Sequence, residues 1–292
     1  MCVAHRIAWL DVFAERPLAG NGLAVVDGAD GIADETMLAF AKEMDLSETT
    51  FVQAPEADGA DYRNRIFTIE REIPFAGHPS LGTAVAVARW RGQEETSFVQ
   101  ETAAGLQPLE VRSEAGGWRA EMVHNPAEFG TELDVEALMH AVGLNPAEAH
   151  QDLAPQVVST GLPTAIIPVS DPASLERVTP DFQAIDAALA DAEPRAGETP
   201  NFYLVWVDEE TEQARARMFS TGAPGGEDPA TGSAAGPLGA YLAELAGCER
   251  LVIRQGHEMG RPSVLEVEMV DGRPRVGGGV IPVIDGEVSL PS

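Results

Sequence analysis

The sequence contains little positive charge. Of its 292 residues, 19 are lysine or arginine and 47 are aspartate or glutamate, so the formal net charge is −28. Lys42 is its single lysine. A surface this acidic repels phosphate backbones and anionic headgroups, which argues against nucleic-acid binding and membrane-surface binding.

Cysteines and long apolar runs are also scarce. The two cysteines, Cys2 and Cys248, fit neither a disulfide framework nor a thiol metal site. No segment approaches the ~18 consecutive apolar residues of a membrane span, and the first residues lack the basic-then-apolar pattern of a signal peptide. We expect a soluble, reduced, cytoplasmic protein.

What the sequence does contain is many short apolar or alternating segments bounded by turn residues, which predict β-strands. They are Arg6–Val12, Leu23–Val26, Thr49–Gln53, Tyr62–Thr68, Leu106–Val111, Trp118–Val123, Thr164–Val169, Phe202–Val207, Ala214–Ser220, Leu251–Arg254 and Val264–Val270. Helical patterns are fewer: Asp34–Met44, Gly82–Arg91, Val135–Val142, Pro180–Ala190 and Ala234–Leu245. Strands outnumber helices and do not alternate with them, which predicts an α+β fold.

Two of the predicted helices, Gly82–Arg91 and Ala234–Leu245, are apolar nearly all round. Such helices belong in the middle of a core. An internal repeat places each of them in an equivalent setting. Its matching segments are Arg65-Ile66-Phe67-Thr68 with Arg217-Met218-Phe219-Ser220 and, after a gap two residues shorter in the second copy, His78-Pro79-Ser80-Leu81-Gly82-Thr83-Ala84 with Asp228-Pro229-Ala230-Thr231-Gly232-Ser233-Ala234, at an offset of 150 residues.

The repeat predicts two similar domains with a cleft between them, a common place for a small-molecule site. In both copies a glycine-containing turn precedes a helix, whose free N–H groups and positive dipole end favour an anion. We expect the pair to bind a small carboxylate. The alternative is that Asp228 and Ser80 are only helix caps.

The same repeat brings His78 and Asp228 to equivalent positions. Together they could relay a proton or hold a polar group of a substrate, although a lone histidine beside proline is usually structural. Glu48 lies where a helix gives way to a strand, a place where functional side chains are often presented. The pattern alone does not distinguish it from Glu43 and Asp45, and a surface carboxylate is the default interpretation.

Taken together, several motifs resemble the phenazine-biosynthesis (PhzF) family. The similarity runs in order from residue 11 to residue 263. It comprises Asp11-Val12-Phe13, Pro17-Leu18-Ala19-Gly20-Asn21-Gly22-Leu23-Ala24-Val25, Leu46-Ser47-Glu48-Thr49-Thr50-Phe51-Val52, Arg65-Ile66-Phe67-Thr68, Pro74-Phe75-Ala76-Gly77-His78-Pro79, Glu227-Asp228-Pro229-Ala230-Thr231-Gly232-Ser233-Ala234, Gln255-Gly256 and Met259-Gly260-Arg261-Pro262-Ser263.

The resemblance implies a diaminopimelate-epimerase-like fold, in which two pseudo-symmetric domains each wrap a mixed sheet or open barrel around a central helix. We assign residues 1–125 and about 280–292 to the N-terminal domain and 126–279 to the C-terminal domain, with the active-site cleft between them. Gly277-Gly278-Gly279 is expected to act as a hinge for the return. The segments Asn125–Gly130 and Arg195–Pro200 are the expected domain crossing and loop.

The resemblance also implies an isomerase that needs no metal or organic cofactor and forms a homodimer. By position, Glu48 matches the family's acid/base carboxylate. The residues matching its cleft positions are His78, Asp228 and Ser233, with Gly77 and Gly232 beside them. We assign Glu48, His78 and Asp228 to catalysis and the following residues to substrate binding: Ser233, Gly77, Gly232, Thr231 and Ser80.

Two departures from related patterns matter. The family's Gly-Asn-Pro reads Gly20-Asn21-Gly22 here, which loosens a turn without removing a functional group. The positions that align with the thiols of two-cysteine racemases hold Ala76 and Thr231. A thiol pair is what lets those enzymes remove a proton from one face and return one to the other, so this chain cannot use that mechanism.

The hypothesis is therefore a proton shift on a small carboxylate-bearing metabolite, with Glu48 as general acid/base. One alternative is a non-catalytic protein that binds small anions on the same fold. Another is a metal site formed by His78, Asp228 and His124, which no metal-ligand spacing supports.

The acidic composition predicts that salt stabilises the protein, because counterions screen the repulsion among surface carboxylates. The midpoint of thermal unfolding should rise by several degrees between low salt and molar KCl. Equal stability at low and at molar salt would contradict this interpretation.

Overall fold

The computed structural model describes residues 2–190, 192 and 199–291 and divides the chain into two compact units. Unit 1 comprises Met1–Val123 and Gly277–Ser292, and unit 2 comprises His124–Val276. Residues 193–198, most of the predicted Arg195–Pro200 loop, lie outside the described residues. In the part of the chain that is described, no helix is both long and apolar enough to span a membrane.

Unit 1 is a closed eight-stranded barrel around a helix. Seven of its strands are β1 (Cys2–Val12), β2 (Asn21–Val26), β3 (Glu48–Gln53), β4 (Tyr62–Phe67), β6 (Glu95–Thr102), β7 (Gly105–Glu114) and β8 (Gly117–Val123). The short β5 (Glu72–Ile73) forms a hairpin with the end of β4 and is not counted among the eight. The strand that closes the barrel is β17 (Arg273–Pro291), which begins in unit 2 and pairs with β1 and β8. The order around the barrel is β1–β2–β3–β4–β6–β7–β8–β17, parallel at β2–β3 and β4–β6.

Two helices belong to unit 1. Helix α1 (Asp34–Met44) packs outside the barrel, and Met37 and Ala41 cover an apolar cluster around Phe51. Helix α2 (Gly77–Arg91) runs through the middle of the barrel and is buried at twelve successive residues. This segment has no polar face to present to water, so it is stable only where the barrel surrounds it on all sides. This explains its central position.

Unit 2 has the same plan. Its strands are β9 (Glu128–Glu132), β10 (Gln156–Ser159), β11 (Pro163–Val169), β12 (Asn201–Asp208), β13 (Gln213–Phe219), the short β14 (Glu227–Asp228), β15 (Arg250–Gln255) and β16 (Ser263–Val270). They pair in the order β9–β10–β11–β12–β13–β15–β16, parallel at β11–β12 and β13–β15. Its helices are α3 (Val135–Ala141), α4 (Pro172–Glu176), α5 (Phe182–Leu189) and the buried α6 (Gly232–Ala246), with 3₁₀ turns at Pro146–Glu148 and Pro224–Gly226.

The α+β class predicted from the sequence is confirmed. Each predicted strand and helix is present with shifts of a few residues at its ends. The structure also contains elements that the sequence pattern does not predict: β6, β9, β10 and β17, as well as the short β5, β14 and α4. The strand β6 escaped because its acidic residues on the outer face hide a buried Phe98 and Gln100.

The expected glycine hinge is wrong, because residues 277–279 lie inside the continuous strand β17. A Cβ on Gly277 would lie 2.7 Å from the Cβ of Glu121, and one on Gly279 would overlap the carbonyl oxygen of Ala14. These glycines allow neighbouring backbone to approach closely, which is the other common use of glycine in a strand.

The repeat is real, but its predicted offset of 150 residues is wrong. Four residues separate the paired Phe67 and Glu72, whereas seven separate their counterparts Phe219 and Glu227. From the second hairpin strand onward the offset is 155 residues, and α2 and α6 are both 15 residues long. In this register His78 corresponds to Ser233, Gly77 to Gly232 and Ala76 to Thr231, while Asp228 corresponds to Ile73.

The repeated arginines have one structural role. Arg65 forms two hydrogen bonds to the carboxylate of Glu72, at 2.8 and 2.6 Å, and Arg217 forms two to Glu227, at 2.8 and 2.7 Å. Each arginine also lies over the ring of the phenylalanine two residues later in the chain. A forked, partly buried pair of this kind fixes the hairpin that leads to the central helix.

Gly82 is predicted to be essential for the packing of α2. A Cβ at this position would lie 2.5 Å from Cδ2 of Leu23 and 2.8 Å from Cγ2 of Val12. Helix propensity alone would make Gly82→Ala stabilising, but overpacking should lower the free energy of unfolding by about 1–3 kcal/mol. Urea denaturation measures this change. The control is Gly222→Ala, where the nearest atom lies 3.6 Å away and little change is expected; equal effects of the two substitutions would refute the assignment.

Candidate functional site

Glu48 begins β3, where the chain leaves the turn after α1 and pairs in parallel with Leu23 of β2. Its side chain is only 16% exposed, although the default for a glutamate in so acidic a chain is a solvated surface position. Its Oε2 atom lies 3.4 Å from Nδ1 of His78. The structure therefore brings together two of the three residues predicted to be catalytic.

His78 lies in the first turn of α2 and is 5% exposed. Burial lowers the pKa of its imidazole to about 3, against the smaller opposing effect of a hydrogen bond with the backbone at Gly22. The ring is therefore neutral at pH 7 and carries one proton. Its Nε2 atom is buried and has no hydrogen-bond partner among the described residues.

Asn21 is a further member of this cluster that the sequence analysis did not assign. Its Nδ2 atom lies 3.3 Å from Nδ1 of His78, and the side chain is 2% exposed. In the sequence, Gly20-Asn21-Gly22 differs from the family pattern only in its last residue, which indicates a looser turn. Nothing in that pattern distinguishes the Asn21 amide as a site residue. We call Asn21, Glu48, Gly77 and His78 the Glu48 cluster.

The loop before Asn21 is held by a buried carboxylate. Oδ2 of Asp11, which is fully buried, accepts a hydrogen bond from the backbone N–H of Leu18 at 2.6 Å. Phe13 and Leu18 adopt positive φ angles of 58° and 62°, which are uncommon for bulky residues. Because backbone held in such conformations is often found near functional side chains, this turn supports Asn21, three residues after Leu18, as a candidate site residue.

The start of α2 lacks a side-chain cap. The cap residue Ala76 forms no such hydrogen bond, and the first turn has no acidic residue. The start of α6 at Thr231 is the same in both respects. By contrast, α3, α4 and α5 begin with aspartates whose carboxylates accept first-turn N–H groups: Asp134, Asp171 and Asp181.

In unit 2 a second set of predicted residues lies together, which we call the Asp228 cluster: Asp228, Thr231, Gly232 and Ser233. Asp228 is 7% exposed, and its Oδ2 atom accepts a hydrogen bond of 2.6 Å from the hydroxyl of Thr231. Gly232 begins α6, and the side chain of Ser233 is partly exposed. These four residues lie at one end of the buried helix, as the sequence predicted.

Two of the predicted substrate-binding hydroxyls are already engaged within the protein. Ser80 is fully buried; its Oγ donates to the carbonyl of Ala76 at 2.8 Å and accepts from Nε2 of Gln100 at 2.9 Å. Thr231 donates to Asp228 and accepts from Nε2 of Gln255 at 3.0 Å. A substrate acceptor could bind to either hydroxyl only by displacing the bond that the hydroxyl already donates.

The alternative metal site included His124, which lies in unit 2. Its Nδ1 atom is 2.9 Å from the hydroxyl of Thr160, and its ring packs against Gly236 of α6. Within the described ranges, no three histidine, cysteine, aspartate or glutamate side chains are grouped closely enough to hold a metal ion.

The comparisons with known proteins agree with one another. The family model described as phenazine biosynthesis-like protein matches residues 10–286. The trans-2,3-dihydro-3-hydroxyanthranilate isomerase of Pseudomonas aeruginosa is 35% identical, covering 89% of this chain and 88% of that protein. A PhzF-family structure from Bacillus anthracis has a TM-score of 0.84 and 28% identity, covering 98% of this chain and 99% of that one. A hydroxyproline epimerase from Agrobacterium vitis, 13% identical, covers 98% of this chain and 91% of that one with a TM-score of 0.63, which confirms the predicted fold.

The buried histidines predict a loss of stability in acid. Burial, with a smaller effect of the Arg273 charge, lowers the pKa of His124 to about 4. Between pH 6.5 and about 4 the unfolded chain therefore binds a proton there that the folded protein does not. Stability should fall as the pH falls through this range, by at most about 1.4 kcal/mol per pH unit for this one residue.

Urea unfolding of His124→Asn at several pH values tests this, since the variant should show a flatter profile between pH 6.5 and 4. His140→Asn, a matched change at an exposed histidine, should leave the slope as it is. Parallel profiles for the unmodified protein and His124→Asn would contradict the expectation.

Proposed function

This chain belongs to the phenazine biosynthesis-like (PhzF) family and is an isomerase, and we propose that it moves a proton between two carbons of a small carboxylate-bearing metabolite. In this proposal Glu48 is the general acid/base. It removes a proton from a carbon next to an activating group and delivers it to another carbon of the same conjugated system, so that no atom or electron is gained or lost.

The observation that carries the proposal is the buried contact between Glu48 and His78. A carboxylate that is largely removed from water, with Oε2 at 3.4 Å from an imidazole nitrogen, is held in one place and is poorly solvated. Both properties favour a base that must approach a carbon-bound hydrogen. An exposed carboxylate such as that of Glu43, in the preceding helix, has neither.

Neutral His78 supports this role in a specific way. With its pKa lowered to about 3, the imidazole does not neutralise Glu48 by forming an ion pair at pH 7. Its one N–H can donate to the carboxylate or to the substrate, and its other nitrogen can accept. His78 therefore orients groups and passes a proton without trapping the carboxylate as a salt bridge.

The starts of α2 and α6 supply the anion preference. The cap residues Ala76 and Thr231 accept no first-turn N–H with their side chains, so the positive end of each helix dipole is left for a carboxylate. We assign Gly77, Gly232 and Ser233 to the substrate carboxylate and to the charge that develops as the proton leaves.

A single acid is consistent with the two copies of the repeat. Asn201 begins β12 at the position where Glu48 begins β3, so unit 2 has an amide in place of the carboxylate. The positions of the thiols in two-cysteine racemases hold Ala76 and Thr231. This set of residues favours the return of a proton by the group that removed it.

The first substrate to test is trans-2,3-dihydro-3-hydroxyanthranilate, on which the Pseudomonas aeruginosa relative acts by its name. It should be incubated with the protein in heavy water beside a panel of amino and unsaturated carboxylic acids. Conversion of an acid to its isomer, followed by NMR, reports the proton shift, and carbon-bound deuterium, detected by NMR or mass spectrometry, measures how often the transferred proton exchanges with solvent. The homodimer and the cytoplasmic location implied by the resemblance remain parts of the proposal, and light scattering tests the former.

Replacing Glu48 by glutamine should reduce deuterium incorporation by roughly 10²–10⁴-fold, because the amide cannot accept the proton. Fold and ligand affinity should remain nearly as in the unmodified protein, since glutamine has almost the same shape. The matched control is Glu43→Gln, at an exposed position in the preceding helix, which should retain full activity.

Unchanged incorporation in Glu48→Gln would refute the role of this residue. Tight binding of a small carboxylate with neither isomerisation nor deuterium incorporation, even by the unmodified protein, would instead support the non-catalytic anion-binding alternative.

A further inference from the structure

A directed chain of hydrogen bonds ends on the Asp228 carboxylate. The hydroxyl of Tyr203 donates to Oε1 of Gln255 at 3.0 Å, and Nε2 of Gln255 donates to the hydroxyl oxygen of Thr231 at 3.0 Å. That hydroxyl in turn lies 2.6 Å from Oδ2 of Asp228. All four side chains are more than nine-tenths buried.

The chemistry of the groups sets the direction of this chain. An amide NH₂ only donates, so the Thr231 oxygen accepts from Gln255 and directs its single proton to the carboxylate. A hydrogen bond to a charged acceptor is stronger than a hydrogen bond between two neutral groups. Thr231 therefore holds one oxygen of Asp228 and leaves the other without a bond from this hydroxyl.

The same glutamine also fixes the backbone of the turn. Nε2 of Gln255 donates to the carbonyl of Asp228 at 2.8 Å, in addition to its bond to Thr231. Gly256, with a φ of 74°, follows directly; a Cβ there would lie 2.6 Å from the carbonyl oxygen of Pro229. The Gln255-Gly256 motif thus attaches the end of β15 to the turn that contains Asp228.

Unit 1 contains the equivalent glutamine with a different target. Gln100, 155 residues before Gln255, donates through Nε2 to the hydroxyl of Ser80 at 2.9 Å. Ser80 directs its proton to a backbone carbonyl, that of Ala76. Of these two hydroxyls, only that of Thr231 in unit 2 donates to a carboxylate. The series of hydrogen bonds in unit 2 therefore does more than hold the first turn of the helix.

We propose that Thr231 and Gln255 are positioning residues, which hold the Asp228 carboxylate in one orientation for the reaction instead of binding the substrate themselves. This inference rests on the proposed function for the role of Asp228, and it replaces the prediction that Thr231 contacts the substrate. Loss of the Thr231 hydroxyl removes the hydrogen bond to Oδ2 and so weakens the hold on this orientation, whereas the methyl group of Thr231 has no part in the mechanism.

The test compares Thr231→Val, which removes only the hydroxyl, with Thr231→Ser, which keeps it. With trans-2,3-dihydro-3-hydroxyanthranilate as the probe, we expect Thr231→Val to lower kcat by roughly 10- to 100-fold with KM within a few-fold, and Thr231→Ser to recover most of kcat. Thr164→Val is the matched control, since the Thr164 hydroxyl is buried in the same unit without a partner in the described chain. It should change neither constant.

Crystal structures of the variants give a second measurement that needs no turnover. The Asp228 side chain should adopt one rotamer in the unmodified protein and in Thr231→Ser, and a new or divided one in Thr231→Val. An unchanged rotamer in Thr231→Val overturns the inference, as does a raised KM with unchanged kcat, which would indicate substrate contact. Failure of the proposed function is a separate result: neither isomerisation nor deuterium incorporation by the unmodified protein, whatever the rotamer.

Discussion

The central helix α2 is enclosed by the barrel of unit 1 along twelve successive residues. A helix in that position cannot satisfy the N–H groups of its first turn from the apolar core around it. The start of the helix is therefore a place for polar groups, and here Asn21 and Glu48 lie 3.3 and 3.4 Å from Nδ1 of His78. The requirement that makes the fold stable thus also concentrates polar side chains, partly removed from water, at one place.

The two units use one scaffold for different chemistry. Both have a hairpin fixed by an arginine–glutamate pair, a glycine at the start of the buried helix, and a glutamine that donates to a hydroxyl in the first turn or at the cap. Unit 1 has a carboxylate on β3 and an imidazole in the first turn of its helix. Unit 2 has Asn201 and Ser233 at those positions, and its carboxylate, Asp228, lies in the short strand β14 before the helix. This asymmetry favours one acid/base group over a symmetrical pair.

Periodicity predicted much of the fold, because strands and helices with apolar faces leave a local pattern. It could not predict β6, whose outer residues are acidic, or the register of the repeat, since the loop after Phe219 is longer than the one after Phe67. At the site, Glu48 could be singled out only by resemblance; its burial against His78 depends on strands that are distant in sequence. Gln255 was visible as a motif, but its hydrogen bonds to Asp228 and Thr231 were not.

The central claim is that one enclosed acid carries the same hydrogen from one carbon to another. The most direct measurement uses an acid from the panel that the protein converts to an isomer. The acid is labelled with deuterium at the carbon that loses its hydrogen, and the reaction is followed in ordinary water. The account predicts that part of the early product carries deuterium at the carbon that gains hydrogen. Product entirely free of the label from the earliest turnovers would contradict it.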